Sequence, residues 1–192
     1  MLGAALFIFS SFVHISQCGD FHTSLIIDKL EDCPEENITK YFNMTNVVIN
    51  IVDEHTFVNG QIIFTGEMPG EHSVKVVAIA EKCKHRTLQA TCEIIFDFAV
   101  VKNLCTIWNE KGRMWSKSLE SISPPLECRM KNNIYTVTNG TIDEDIFRKT
   151  VPEAEKYYWK LKLKLFFNNE LRACGKLACG FQKFPGKKVK KH

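Results

Sequence analysis

The sequence predicts a disulfide-stabilised all-β sandwich with a short helical excursion. Three observations predict it: apolar residues recur with a period of two through most of the chain, turn residues punctuate those runs, and eight cysteines are present. The alternation is clearest over 157–167, where Trp159, Leu161, Leu163 and Leu165 share one face and Tyr158, Lys160, Lys162 and Lys164 share the other. One face of that strand is dry and the other wet.

Residues 2–15 are almost wholly apolar, carry no Asp, Glu, Lys or Arg, and give way to Ser16, Gln17, Cys18 and Gly19. Such a stretch is too short to span a bilayer and reads as a secretory signal. A small residue at Ser16 favours cleavage after Cys18, so the expected organisation is a signal over 1–18, one domain over 19–182 and a basic tail over 183–192. The expected destination is extracellular, with lysosomal delivery as a second end point. Three N-x-[ST] sequons, at Asn37, Asn43 and Asn139, fit passage through the secretory pathway as glycan acceptors.

Further along, 48–52, 61–65, 73–80 and 91–100 are short runs rich in Val, Ile and Phe, separated by Asn59-Gly60 and by the turn residues of 66–70. The period then changes. Leu104, Trp108, Lys111, Trp115 and Leu119 recur at three and four residues, with Ile107 and Met114 beside them, which predicts one or two helical turns interrupted at Gly112. Residues 121–126 contain Pro124-Pro125 and read as a loop. The strand 157–167 then turns at Asn168-Asn169-Glu170 into 171–181, a C-terminal hairpin.

Composition excludes several classes. With 192 residues, 45% hydrophobic and 24% charged, the chain is neither disordered nor fibrous, and it is long enough to fold without disulfides. Lys183, Lys187, Lys188, Lys190 and Lys191 supply five positive charges; taking them from the net +3 leaves −2 on the preceding 182 residues. The body therefore carries no basic excess for nucleic acid, and the lysine tail is either a solvated end or a contact for an anionic membrane surface.

No catalytic string is present: G-x-S-x-G, H-E-x-x-H, the P-loop and the dinucleotide turn are all missing. His22, His55, His72 and His85 lie in polar contexts, and Asp143, Glu144 and Asp145 read as solvated carboxylates in a turn. There is no C-x-x-C pair, and Cys83-Lys84-His85 alone is a weak ligand set. Neither an enzyme, nor a metal site, nor a cofactor is expected.

Several features together resemble one family. Asp32-Cys33-Pro34 precedes a strand, Cys83 and Cys92 form a close pair, and Cys105 opens an excursion that closes at Cys128. NNIYTVTN over 132–139 and YYWKLKLKLFFNNELRACGKLACGFQ over 157–182 follow. This order resembles the ML lipid-recognition superfamily, in particular its ganglioside-activator branch and the related insect secreted and chemosensory proteins, over about residues 33–182. The resemblance implies an immunoglobulin-like two-sheet sandwich or cup that holds a lipid tail between its sheets. It also implies the pairings Cys33 with Cys174, Cys83 with Cys92 and Cys105 with Cys128. The chain departs from that pattern in lacking a second small disulfide inside the excursion and in having Cys179, which is free, pairs with a retained Cys18, or links two chains.

By the same resemblance, the excursion 106–127 and the loop 141–156 are the two lips of a ligand mouth. Their large residues Trp108, Met114, Trp115, Leu119, Ile122, Ile146, Phe147 and Val151, together with Trp159 on the strand wall, would meet the ligand; each is equally a candidate for ordinary core. The implied activity is non-covalent transfer of a lipid or other long apolar molecule, each buried methylene contributing about 0.8 kcal/mol. The alternative is a secreted module that docks on a protein receptor or enzyme, with the cavity secondary or closed.

Overall fold

The structure is a computed structural model that describes residues 21–33, 41–66, 74–100 (98–100 by backbone alone), 110–127 and 130–185. The expected signal over 1–18, Asn37, Trp108, Cys105, Cys128 and most of the basic tail lie outside the described residues. Two antiparallel sheets form the fold. The first has five strands in the order β1–β9–β8–β4–β5, built from β1 (Phe21–Asp32), β4 (Val74–Cys83), β5 (Cys92–Val100), β8 (Tyr158–Phe167) and β9 (Glu170–Pro185). The second has the order β2–β3–β7–β6, built from β2 (Phe42–Val52), β3 (His55–Phe64), β6 (Ile122–Ser123) and β7 (Asn133–Gly140). The all-β, disulfide-stabilised sandwich is what the alternating runs predict.

Local chemistry sets the turns. Asp53 and Glu54 (φ 48° and 71°) join β2 to β3, and Asn168 and Asn169 (φ 52° and 64°) join β8 to β9. Both pairs have the left-handed backbone that a tight two-residue hairpin demands, and its twist matches that of the strands. Asn59-Gly60, expected as a turn, lies instead inside β3, where the register slips against both neighbouring strands. A Cβ at Gly60 would lie 3.2 Å from the Thr45 carbonyl oxygen, so glycine permits a bulge rather than a reversal there.

Two further expectations are corrected. Residues 121–126 are not all loop: Ile122 and Ser123 pair with Val137 and Thr136 as β6 before the prolines end the strand. The segment 141–156, expected as a loop, contains a helix over Glu144–Thr150. That of the excursion, Ser116–Glu120, is therefore α1, and Glu144–Thr150 is α2. Asp143, read from sequence as one of three solvated carboxylates, caps α2 by accepting the Ile146 N–H at 3.1 Å. Glu144 and Asp145 fill its first turn and Arg148 and Lys149 its last, the charge order that the helix dipole favours.

The disulfide Cys33–Cys174 fastens the end of β1 to β9, and Cys83–Cys92 closes the β4–β5 connection. Both pairings are those the family resemblance implied. Cys179 has no disulfide partner among the described residues and is buried. Apolar side chains gather in two clusters. One surrounds Phe64, Val76, Tyr135 and Phe167; the other surrounds Leu25, Val58, Phe147 and Trp159. Among the described residues no helix is long and apolar enough to cross a membrane.

Candidate functional site

The inner face of the five-stranded sheet changes character at its middle. On β8, Trp159 and Phe167 are buried, yet Leu163, halfway between them on the same face, is 41% exposed. A leucine so placed is ordinarily covered by the facing sheet. Its cross-strand neighbours are Ala78 on β4 and Gly175 on β9, so the row through Leu163 offers one methyl group and one bare backbone beside it. Ala78, Ala80, Leu161 and Leu163 belong to neither of the two apolar clusters. A Cβ built on Gly175 would meet Met44 Cε at 3.7 Å and the Glu31 carbonyl oxygen at 3.9 Å, which is ordinary van der Waals contact. Small residues thus form a band between the clusters in which Ala78 and Ala80 are buried and Leu163 is exposed.

At one end of the sandwich the two expected lips touch. The Asp143 N–H donates to the Met114 carbonyl at 2.8 Å, and Ser118 Oγ donates to the Thr141 carbonyl at 2.6 Å. Lys117 Nζ lies 2.7 Å from Asp143 Oδ2. The Lys117 hydrogen bond, followed by that from the Ile146 N–H, holds the Asp143 carboxyl below its usual range, and the same pair raises Lys117. The α2 lip is also clamped to β1. Leu25 N–H donates to Glu144 Oε2 at 3.0 Å, and Arg148 reaches Thr23 Oγ1 at 3.1 Å while pairing with Glu144 and Glu155.

The expected ligand residues divide accordingly. Phe147 (8% exposed) and Trp159 (7%) are buried edge to face, with ring centroids 6.2 Å apart, and Trp159 Nε1 donates to the Ala154 carbonyl at 2.8 Å. Met114 and Val151 pack against the same cluster, whereas Ile122 and Leu119 join the other. Trp115 and Ile146 are half-buried. The structure brings Met114, Phe147, Val151 and Trp159 together as one wall and places Ile122 and Leu119 apart from them. Sequence reasoning missed the row Ala78–Leu163–Gly175. Its available signal was Gly175 inside a strand, a position where glycine marks a bulge or a close approach.

Other chemistry is limited by what the groups already do. Glu81, Cys83 and Cys92 bring three ligand atoms within 4.8 Å of one another, but both sulfurs are joined in a disulfide, which removes the thiolate donors. Of the expected glycan acceptors, Asn43 and Asn139 are exposed on the four-stranded sheet. Two surface depressions lie away from Leu163. One, of about 310 Å³, is bordered by Thr56, Lys117, Asp143 and Asp145; the other, of about 450 Å³, lies between the β4–β5 connection and the start of β8. No protein-family model and no curated protein sequence matches the chain.

Proposed function

We propose that the protein is a secreted, non-enzymatic carrier that holds the apolar part of a lipid or similar ligand between its two sheets and releases it unchanged. The observation that carries this reading is the 41% exposure of Leu163 on an inner face, beside Ala78 and Gly175. A protein whose sandwich had only to be stable would fill that band with large side chains, because interiors pack to crystal density. The cysteine order and the strand motifs shared with ML proteins point the same way. Two disulfides and a leading apolar segment fit an oxidising, extracellular route.

Binding would be driven by removal of methylenes from water, about 0.8 kcal/mol for each. Access at the lip end would require release of a few polar links, chiefly Lys117–Asp143 and the Met114 and Thr141 carbonyl contacts, while Phe147 stays in the core. The lysine tail would hold the carrier near an anionic membrane surface.

Uptake of a long-chain fatty acid by the purified, disulfide-intact chain tests the reading, with Gly175→Leu as the diagnostic variant. Filling the band should abolish uptake and leave thermal stability equal or higher. No uptake by the unaltered chain, with Gly175→Leu destabilised by about 1–3 kcal/mol as in an overpacked core, would overturn it.

A further inference from the structure

We propose that the depression between the β4–β5 connection and the start of β8 is a binding site for a phosphate group, whether free or carried on a lipid head. It is a recess of about 450 Å³ whose border includes three cations, Lys84, Arg86 and Lys156, around the rings of Tyr157 and Tyr158. The one carboxylate on the border, Glu155, is engaged by Arg148. With Arg86 paired to Asp28 and Lys156 to Glu153, the positive excess at the recess rests on Lys84.

The cations are mounted on stiff supports. Lys84 and Arg86 stand on the connection closed by Cys83–Cys92, where the Lys84 N–H donates to the Thr91 carbonyl at 3.3 Å and the His85 N–H to Thr91 Oγ1 at 3.2 Å. Lys156 ends a 3-10 turn across the recess and is held by Glu153. The Arg86 guanidinium lies 5.4 Å from the centre of the Tyr158 ring, and its Nη2 contacts Asp28 Oδ2 at 3.0 Å. Asp28 thereby fixes the fork through one nitrogen, and a guanidinium has further N–H donors to offer a tetrahedral oxyanion. Tyr158 in turn packs closely on Gly180: a Cβ there would come within 2.8 Å of the ring. Glycine at 180 thus borders the recess, and Lys84 makes no close ion pair among the described residues, its charge acting on Glu93 at longer range.

Nothing in this site requires a tail to follow the phosphate, so it stands independently of the carrier reading. Its neighbourhood nevertheless joins the two, because Phe181 borders the recess and also meets Phe147 at a centroid distance of 6.1 Å.

The test is calorimetric titration of the purified full chain with inorganic phosphate at constant ionic strength, then binding to phosphatidylcholine vesicles with and without phosphatidic acid. Saturable phosphate binding is expected, weakened about tenfold by Lys84→Gln, the loss of one charge-assisted hydrogen bond. Arg86→Gln should weaken it further; because that change also frees Asp28, Lys84→Gln is the variant that preserves the fold. Vesicle binding that depends on phosphatidic acid and is competed by phosphate identifies a lipid head. Phosphate binding without vesicle dependence identifies a free phosphate ligand, and both outcomes support the site. Absence of saturable phosphate binding, or equal binding by the unaltered chain and Lys84→Gln, overturns it. Fatty acid uptake unaffected by Lys84→Gln separates this result from failure of the carrier.

Discussion

Cys179 lies 3% exposed in the cluster that contains Trp159 and Leu25, where burial, with a smaller contribution from the Asp28 charge, pushes its thiol up to about 12. The thiolate is the reactive form, so a thiol held neutral in the core neither attacks a reagent nor presents itself to a second chain. Titration with a colourless-to-yellow disulfide reagent at pH 8 should find Cys179 silent in the folded protein and reactive after denaturation; rapid reaction of the native chain would contradict its burial. Phe147 carries a related lesson. Its ring packs against Trp159 and Phe181, so truncation to Ser removes core and costs about 3–5 kcal/mol, and a loss of transfer in that variant would report instability. Trp115 and Ile146, both half-buried, are the residues whose replacement tests access to the proposed ligand site. That these side chains are large and apolar is legible in the sequence, but whether each folds inward depends on contacts across elements that spacing does not encode.

Between elements, the decisive contact is the link from α1 to the cap of α2. Asp143 is held below its ordinary value of 3.8 by Lys117 first and by the Ile146 N–H second. A carboxyl lowered in the folded state contributes stability that is fully present above its unfolded value and is lost as the pH falls through the folded one. The lips should therefore stay linked at pH 5 and loosen only below about pH 3.8. Hydrogen exchange at the Asp143 and Ile146 amides, corrected for intrinsic rates, should show equal protection at pH 7 and pH 5 and a loss in stronger acid, with the pH dependence removed in Asp143→Asn. Loosening between pH 7 and pH 5 would contradict the link.

Elements themselves were legible to different degrees. The strands β8 and β9 follow from strict alternation and two consecutive asparagines. By contrast, β1 hides because Ser24, Leu25, Ile26 and Ile27 are all buried and a bulge at Asp28 shifts the face, so no period of two survives. The helix α2 was also readable in principle: an Asp cap, two acids and a following Arg-Lys pair are a start and a stop signal, obscured when the acids are taken merely as solvated charge.

For the whole molecule, Cys33–Cys174 joins residues 141 apart and ties the first described strand to the last, which in the chain-entropy model stabilises the fold by about 5 kcal/mol. The staple lies within the five-stranded sheet, holding its edge strand β1 to β9, so the union of the two sheets rests on the apolar clusters between them. Both described disulfides are those the family resemblance implied, and sheet class follows from alternation. The band at Leu163 does not, because alternation puts a leucine on the inner face but cannot say how closely the facing sheet approaches it. That distance is a property of the packed molecule, and the proposed cargo depends on it. The direct measurement is native mass spectrometry of the chain secreted from eukaryotic cells, with organic extraction and lipid identification from the same sample. A discrete lipid mass, released on extraction and missing from Gly175→Leu, is the predicted result; a chain that stays empty after incubation with fatty acids, sterols and glycolipids would contradict the carrier.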